Sequence, residues 1–252
     1  MIKISVFVLK GKRILLFLVL SVCIMIGLFS FDSINVFNAG NRNLPVYSVE
    51  RNDKKVSVTF NCAWNDEDIN SILATLDKYN IKATFFIVGD WAEKFPDALK
   101  KIKEYGHEIG GHSYNHKDYA HLSVSQIKED LKKCDEAIKK VTGEAPILYR
   151  VPSGSYNNNA ISALEESGKI AIQWSADSID YNDASAEDIY ERSIKLDCGG
   201  ILLMHNGTKN TATALNRVLD NLCGRFEPVL VSELLYPDNF KIDANGRMHS
   251  LD

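Results

Sequence analysis

The chain has 252 residues, of which 45% are hydrophobic and 25% charged, and its formal net charge is −4 at pH 7. This length fits one substantial domain and is short for two. A small acidic excess with no basic cluster beyond the N-terminus excludes nucleic acid as the expected partner.

The N-terminal stretch has the composition of a membrane segment. Residues 1–13 are basic, and residues 14–31 carry no charge over a length that can span a bilayer. We expect residues 1–13 to be cytoplasmic, residues 14–31 to form a single transmembrane helix and residues 32–55 to be a tether. The domain that follows would then lie outside the cell membrane. A cleaved signal peptide is the alternative, and it would make the protein secreted.

Beyond the tether, strand-like and helix-like stretches alternate. The helix at residues 123–141 is the clearest, because Ser123 or Ser125 can cap its start and Gly143 can end it. Seven strands separated by helices predict an α/β fold with a parallel sheet over residues 56–236, followed by a C-terminal tail at 237–252. A closed or nearly closed (β/α) barrel accommodates seven strands better than an open sheet, which is the alternative. In chain order we expect strands at 56–60, 83–88, just before His112, 147–149, 170–174, 201–204 and 228–231, with helices at 66–79, 91–105, 123–141, 159–167, 186–196 and 211–223.

Cysteine spacing gives no metal motif of the zinc-ribbon type. Outside the cell a disulfide between Cys198 and Cys223 is conceivable, and free buried thiols are the simpler expectation.

His112 and His116 stand four residues apart after a short strand and a pair of glycines. This spacing places two imidazoles where they can bind one metal ion, although it also occurs by chance. The position of the pair after a strand favours a metal site, because the active sites of α/β enzymes lie at the carboxyl ends of the strands. Zinc is the expected ion, and a hydrolytic site normally has three protein ligands, so the pair is only part of a site.

Other polar side chains follow the remaining strands. In a parallel barrel these strand ends share one rim, which suggests metal-assisted hydrolysis with His205 as the proton donor and Asp177 or Asp180 holding it as imidazolium. Each residue alone has an ordinary structural explanation, such as a turn or a surface ion pair. Their joint placement carries the hypothesis, and the residues concerned are Asn61, Arg150, Pro152, Asp177, Asp180, Tyr181 and His205.

Several segments resemble, in order, the motifs of the polysaccharide deacetylases of the NodB-homology kind, carbohydrate esterase family 4, and within it the PdaB-like group of spore-forming bacteria. They are Val58-Thr59-Phe60-Asn61, Ala83-Thr84-Phe85-Phe86, Gly106-His107-Glu108-Ile109-Gly110, His112-Ser113-x-x-His116, Arg150-x-Pro152-Ser153-Gly154, Gln173-Trp174-Ser175-x-Asp177-Ser178-x-Asp180 and Leu202-Leu203-x-His205.

This resemblance implies a distorted parallel (β/α) barrel that removes N-acetyl groups from sugars in an extracytoplasmic glycan, such as cell-wall peptidoglycan or a related polymer. Likeness to the group from spore formers suggests a part in sporulation. We expect the protein to be a monomer. His112 and His116 would bind the metal, and His205 would be the general acid. The catalytic groups would be oriented by Arg150 and Asp180. The sugar and acetyl pocket would be shaped by Trp174, Tyr181, Pro152 and Leu203.

The chain departs from the family at the first motif. The family has Thr-Phe-Asp-Asp, whose carboxylates are the general base and a metal ligand, whereas this chain has Asn61 and Cys62. An amide cannot take a proton from water at neutral pH. Asp66 could supply a replacement ligand or base, Cys62 could bind zinc as a thiolate, or the site could lack a third protein ligand.

Two functions therefore compete. One is a membrane-anchored, metal-dependent deacetylase, and the other is a pseudoenzyme that keeps the sugar cleft and binds glycan without hydrolysing it. Hydrolysis of a small amide is a third option, and a location outside the cell makes it less natural.

Overall fold

The computed structural model describes residues 43–252. Its strands are β1 (Ser48–Val49), β2 (Lys55–Cys62), β3 (Thr84–Ile87), β4 (Glu108–Gly111), β5 (Leu148–Tyr149), β6 (Ile170–Ala171), β7 (Ala176–Asp177), β8 (Ile201–His205), β9 (Glu227–Pro228), β10 (Phe240–Ile242) and β11 (Arg247–Ser250). Its α-helices are α1 (Ile69–Lys78), α2 (Gly89–Lys94), α3 (Pro96–Glu104), α4 (Val124–Thr142), α5 (Asn158–Glu166), α6 (Ala186–Ser193), α7 (Thr211–Arg225) and α8 (Val231–Leu234).

The main sheet is a parallel half-barrel with the order β6-β5-β4-β3-β2-β8-β7, and β9 pairs with one end of β2. Within residues 43–252 no ladder joins β6 to β7, so the barrel is open there. Single bridges from Val46 to Ile172 and from Ser48 to Gly200 lie near this opening. The predicted parallel α/β architecture is therefore confirmed, in an open rather than a closed form.

Strand β2 shows how the sequence separates the two sides of the sheet. Successive side chains of a strand point to opposite faces. Val58, Phe60 and Cys62 belong to the apolar core that the helices cover. Thr59 and Asn61 alternate with them and are buried on the other face, inside the half-barrel. One strand thus supplies both a packing surface and a polar side chain for the interior.

Helix α4 begins and ends where its sequence predicts. The Ser123 side chain accepts a hydrogen bond from the backbone N–H of Gln126, and the Gln126 side chain accepts one from the backbone N–H of Ser123. Such a cap stabilises a helix by about 1 kcal/mol. Gly143 ends the helix with a φ of 87°, a conformation that glycine adopts without strain.

Two predicted strands differ from the structure. The ladder between β6 and β5 ends at Ala171, and Ile172 forms a bridge with Val46. A separate strand, β7, follows. The strand predicted at 228–231 is only Glu227–Pro228, and α8 begins at Val231. Apolar runs this short fit a strand or a buried helix equally well.

Residues 43–55, predicted as part of a tether, and residues 237–252, predicted as a C-terminal tail, contain strands in the structure. Strands β1, β10 and β11 form a second sheet in the order β1-β11-β10, which joins residues 48–49 to residues 240–250. Within residues 43–252 no helix is long and apolar enough to cross a bilayer, and the predicted anchor at 14–31 lies outside this range. The cysteines of the described part, Cys62, Cys134, Cys198 and Cys223, are all free thiols.

Candidate active site

Strand register brings the candidate residues to one rim. Asn61 at the end of β2 lies directly opposite His205 at the end of β8. Gly111 on β4 lies opposite Tyr149 on β5, so His112 and Arg150 leave the sheet side by side. A Cβ atom on Gly111 would lie only 2.3 Å from the Tyr149 ring, so glycine is required for this close approach.

A pocket of about 440 Å³ opens at this rim. Three of its lining residues, Ala63, Trp64 and Ser153, had no predicted role. Arg150 and Asp180 are buried behind the pocket wall and Pro152 is buried beside it. The predicted residues that line the pocket are Asn61, His112, His116, Trp174, Asp177, Tyr181, Leu203 and His205.

His205 is held by one carboxylate. Its Nδ1–H donates to Oδ1 of Asp180 at 2.7 Å, and its backbone N–H donates to Oδ2 at 2.7 Å. The hydroxyl of Thr211 donates to the same Oδ2 at 2.5 Å. This arrangement leaves Nε2 of His205 as the nitrogen that can exchange a proton. The sequence left open whether Asp177 or Asp180 holds His205, and in the structure the carboxylate bound to His205 is that of Asp180.

Asn61 connects this histidine to Arg150. Its Oδ1 accepts a hydrogen bond from Nη1 of Arg150 at 3.0 Å, and its Nδ2–H faces Nε2 of His205 at 3.4 Å. Both ends of the amide are therefore used within the site. Asn61 therefore places at the end of β2 a group that neither accepts a proton from water nor carries charge.

Arg150 is a fully buried cation. Its Nη2 donates to the carbonyl of Gln173 at 3.1 Å, and its guanidinium lies 4.1 Å from the centroid of the Phe86 ring. Burial lowers the pKa of Arg150 to about 9, against the opposing charge of Asp177. Its hydrogen bonds within residues 43–252 go to Asn61 and to a backbone carbonyl, and neither acceptor is a carboxylate.

His112 and His116 have the properties of metal ligands. Nδ1–H of His112 donates to the carbonyl of Arg150 at 2.7 Å, while its Nε2 is buried without a hydrogen bond. A backbone carbonyl on one nitrogen commonly orients a metal-binding histidine. The two rings lie 5.0 Å apart, and burial lowers the pKa of both, which favours the neutral imidazole that a metal requires.

The third ligand predicted from the sequence is not in place. Among residues 43–252, no three His, Cys, Asp or Glu side chains are grouped so that they could hold a metal. Asp66 does not line the pocket. Cys62 points into the apolar core, where burial raises the pKa of its thiol well above the usual value, so it is not a thiolate ligand. The residues present fit an ion held by His112 and His116 alone.

Asp68, rather than Asp66, reaches the strand-end rim. Its Oδ1 accepts a hydrogen bond from the backbone N–H of Gly207 at 2.8 Å, two residues after His205. Burial raises the pKa of Asp68, against the effect of that hydrogen bond. Its carboxylate thus fastens the loop after β2 to the loop after β8.

The loop that carries His116 is fixed by α4. Oδ2 of Asp130 accepts hydrogen bonds from the backbone N–H of Tyr114 at 2.9 Å and from the hydroxyl of Tyr119 at 2.8 Å. Ser113 and His116 have φ values of 66° and 59°, which side chains rarely adopt. A buried carboxylate therefore holds a strained turn in shape.

Comparison with known proteins agrees with this geometry. The profile of the family described as polysaccharide deacetylase matches residues 48–171. A mutant of a pseudoenzyme of carbohydrate esterase family 4, with restored enzymatic activity, is 30% identical, with a TM-score of 0.73 over 76% of this chain and 71% of that one. The chain belongs to this family. The wild-type pseudoenzyme, from Bacillus anthracis, is 29% identical, with a TM-score of 0.73 over 81% of this chain and 72% of that one.

Two curated relatives of this polysaccharide deacetylase homologue are longer than it. The peptidoglycan-N-acetylglucosamine deacetylase of Bacillus cereus is 30% identical over 70% of this chain and 66% of the relative. The uncharacterized protein YlxY of Bacillus subtilis is 34% identical over 71% of this chain and 56% of YlxY. The chain thus spans less than two thirds of the length of each.

Besides Ala63, sequence reasoning missed four residues of the site. Trp64 and Ser153 line the pocket, Thr211 binds Asp180, and Asp68 binds the loop after His205. Trp64 and Ser153 lie within the strand-end segments already singled out, so their position was the available signal. Nothing in the spacing of Asp68 or Thr211 distinguishes them from ordinary loop and helix residues.

Proposed function

We propose that this polysaccharide deacetylase homologue binds N-acetylated glycan, most naturally cell-wall peptidoglycan, and hydrolyses it poorly or not at all. It would do so as a monomer on the outer side of the cell membrane, anchored by residues 14–31. One observation carries the proposal: Asn61 occupies the position of the general base, with its amide bound between Arg150 and His205.

The chemistry of an amide supports this conclusion. General base catalysis needs a group with a pKa near the operating pH, and a carboxamide has none. In addition, the N–H of Asn61 faces the nitrogen of His205 that would protonate a leaving group. The site thus lacks a group that would activate water at Asn61, and the nitrogen that would protonate the leaving amine faces the Asn61 amide.

The pocket itself is suited to a sugar. It combines apolar and aromatic walls from Trp174, Tyr181 and Leu203 with a few polar groups, the usual composition of a small-molecule site. Relatives support the choice of glycan, since one is a peptidoglycan-N-acetylglucosamine deacetylase. The similarity to a pseudoenzyme of carbohydrate esterase family 4 supports binding without turnover.

Metal-dependent deacetylation is the second candidate, and two features favour it. The His205 and Asp180 pair of a general acid is intact, and Nε2 of His112 is buried and unpaired. Zinc held by His112 and His116 would supply a Lewis acid that polarises the acetamide carbonyl. Asp177 is a carboxylate that lines the pocket, so it would be the base in such an enzyme.

Binding and acetate release, measured together on the full chain in detergent, separate the two candidates. Calorimetry would follow binding of N-acetylglucosamine oligomers, and acetate would be assayed with zinc present. We expect the wild type to bind glycan without releasing acetate, Asn61→Asp to release it, and the added change His205→Ala to abolish that release. Zinc-dependent acetate release by the wild type, lost in Asp177→Asn, would instead support the deacetylase.

A further inference from the structure

A groove with mostly apolar walls lies at the amino ends of the strands. It encloses about 500 Å³, and three of the residues that line it are apolar side chains open to solvent. Ile147, just before β5, is 61% exposed, Ile170 at the start of β6 is 38% exposed, and Phe240 at the start of β10 is 39% exposed. We call this surface the amino-end groove. Exposed apolar side chains grouped beside a cavity mark a surface that another molecule covers.

The amino-end groove and the pocket lie at opposite ends of the parallel sheet. Strand β4 runs from one to the other, because His107, just before the strand, lines the groove and His112, just after it, lines the pocket. Extended chain of this length spans about 16 Å. A molecule that covers the groove therefore leaves the pocket open.

The acidic side chains of the groove are already paired. Among the lining residues in the described part of the chain, Glu108 and Glu144 are the acidic ones. Oε2 of Glu108 accepts hydrogen bonds from the hydroxyl of Thr84 at 2.7 Å and from the backbone N–H of Ser232 at 3.3 Å. Glu144 forms an ion pair with Lys103. Neither carboxylate is thus a bare charge that would oppose contact with an apolar or anionic surface.

The chain that precedes the described residues indicates which partner is near. Residues 14–31 are the predicted membrane anchor, and residues 32–42 connect them to the described domain. This linker of 11 residues spans at most about 40 Å. The backbone N–H of Val46 donates to the carbonyl of Ala171 at 2.8 Å, next to Ile170 of the groove. A linker this short keeps a bilayer at high effective concentration for the amino-end groove.

We propose that the amino-end groove docks onto the lipid bilayer, with Ile147, Ile170 and Phe240 at the boundary between headgroups and acyl chains. Binding at this boundary strengthens with the apolar area that it buries. The inference rests on the membrane anchor of the proposed function and adds an orientation. Docking through the amino ends of the strands turns the pocket away from the bilayer, toward a glycan that lies outside the membrane.

Fluorescence quenching by lipid tests the contact. The full chain would be reconstituted in phosphatidylglycerol nanodiscs whose acyl chains are either plain or brominated. Phe240→Trp adds an indole at the groove, and brominated chains should quench that added emission by about half, because a docked side chain reaches the acyl boundary. Wild-type emission should change little, since Trp64 and Trp174 line the pocket and Trp91 lies in the apolar core. The matched control is Tyr181→Trp, which adds an exposed indole at the pocket and should not be quenched.

A charge placed in the groove tests whether its apolar surface makes the contact. Adding Ile147→Glu to Phe240→Trp should remove the quenching, and adding Ile147→Leu instead should keep it. Ile147 is mostly exposed, so both variants should unfold at the wild-type temperature. Quenching that persists with Ile147→Glu would overturn the proposal.

Calorimetry with N-acetylglucosamine oligomers on the same nanodiscs separates this inference from the proposed function. Glycan binding without quenching of Phe240→Trp would overturn docking alone, and two chains in each nanodisc would then identify a second copy as the molecule that covers the groove. Quenching without glycan binding would support docking and overturn the proposed glycan binding. Protein that does not remain with the nanodiscs would overturn both docking and the membrane anchor.

Discussion

At the scale of single residues, Arg150 and Asn61 form an unusual buried pair. A guanidinium removed from water usually has a carboxylate beside it, because an uncompensated buried charge is costly. Here its side-chain partner is a neutral amide, and burial lowers the pKa of Arg150 to about 9. The site thus holds a buried cation whose side-chain hydrogen-bond acceptor carries no charge.

Restoring the carboxylate should stabilise the protein. In Asn61→Asp the hydrogen bond from Arg150 becomes charge-assisted, so we expect the free energy of unfolding at pH 7 to rise by about 1 kcal/mol. Urea unfolding would measure the gain. The control is the same substitution in an Arg150→Gln background, where the gain should disappear. If Asn61→Asp unfolds more easily than the wild type, desolvation of the new carboxylate outweighs the pairing.

His107 makes a second prediction about a single residue. Its Nδ1 accepts a hydrogen bond from the backbone N–H of Ala83 at 3.2 Å, and burial lowers its pKa to about 4. The unfolded chain binds a proton near pH 6.5, whereas the folded chain does so only near pH 4. Stability should therefore fall by about 3 kcal/mol as the pH drops through this window.

The pH dependence can be assigned to His107 by comparison with His107→Gln, which keeps an acceptor and does not titrate. The free energy of unfolding, measured with urea between pH 4 and pH 7, should depend on pH less steeply in the variant than in the wild type, by the equivalent of about one proton. Identical slopes would mean that His107 is as easily protonated in the folded state as in the unfolded one.

At the scale of elements, helix α4 determines the shape of the loop that carries His116. Asp130 lies on the buried face of the helix and binds both Tyr114 and Tyr119. Nothing in the helical pattern itself marks this residue, because an acidic residue on a helix is ordinarily solvent-exposed. The element could be predicted from its caps and periodicity, whereas its role in the site depends on a contact between distant segments.

Removing this contact should loosen one loop. In Asp130→Ala the backbone N–H of Tyr114 and the hydroxyl of Tyr119 lose their acceptor, which should cost about 3 kcal/mol of stability. Hydrogen exchange should quicken at residues 113–119 more than in α4 itself. Glu129→Ala, one residue earlier on the exposed face of the same helix, is the matched control and should leave both quantities unchanged. Uniform acceleration across the domain would contradict a local role.

The sequence predicts the features of this fold that depend on local patterns, and it does not predict those that depend on contacts between distant segments. Long helices and buried parallel strands were predictable, because apolar periodicity over many residues reports burial. The position of Asp66 was not predictable, since the loop after β2 takes its path from hydrogen bonds to residues such as Gly207 far along the chain. The direction of the Cys62 side chain, into the apolar core, follows from the alternation of side chains along β2 once the register of that strand is known.

At the scale of the whole molecule, the second sheet joins the two ends of the described chain. β1 pairs with β11, and His249 on β11 lies between Glu50 and Asp243. Its Nδ1 is 2.8 Å from Oε2 of Glu50, and its Nε2 is 3.0 Å from Oδ2 of Asp243. The pairing of β1 with β11 joins residues about two hundred positions apart, so no local pattern in the sequence reveals it, whereas β10 pairs with β11 close by in the chain.

This histidine should give the molecule an alkaline limit that complements the acidic limit set by His107. Hydrogen bonds to Asp243 and Glu50 raise the pKa of His249, and Lys241 and Arg247 are the nearby cations that act on Glu50. A raised pKa in the folded state means that the stabilisation is complete below pH 6.5 and is lost as the pH rises through the higher value. NMR titration of the imidazole would measure that pKa directly. In His249→Gln the decline of unfolding free energy on the high-pH side of 6.5 should disappear while the acid-side decline persists. Loss of the acid-side decline instead would reverse the assignment of the two histidines.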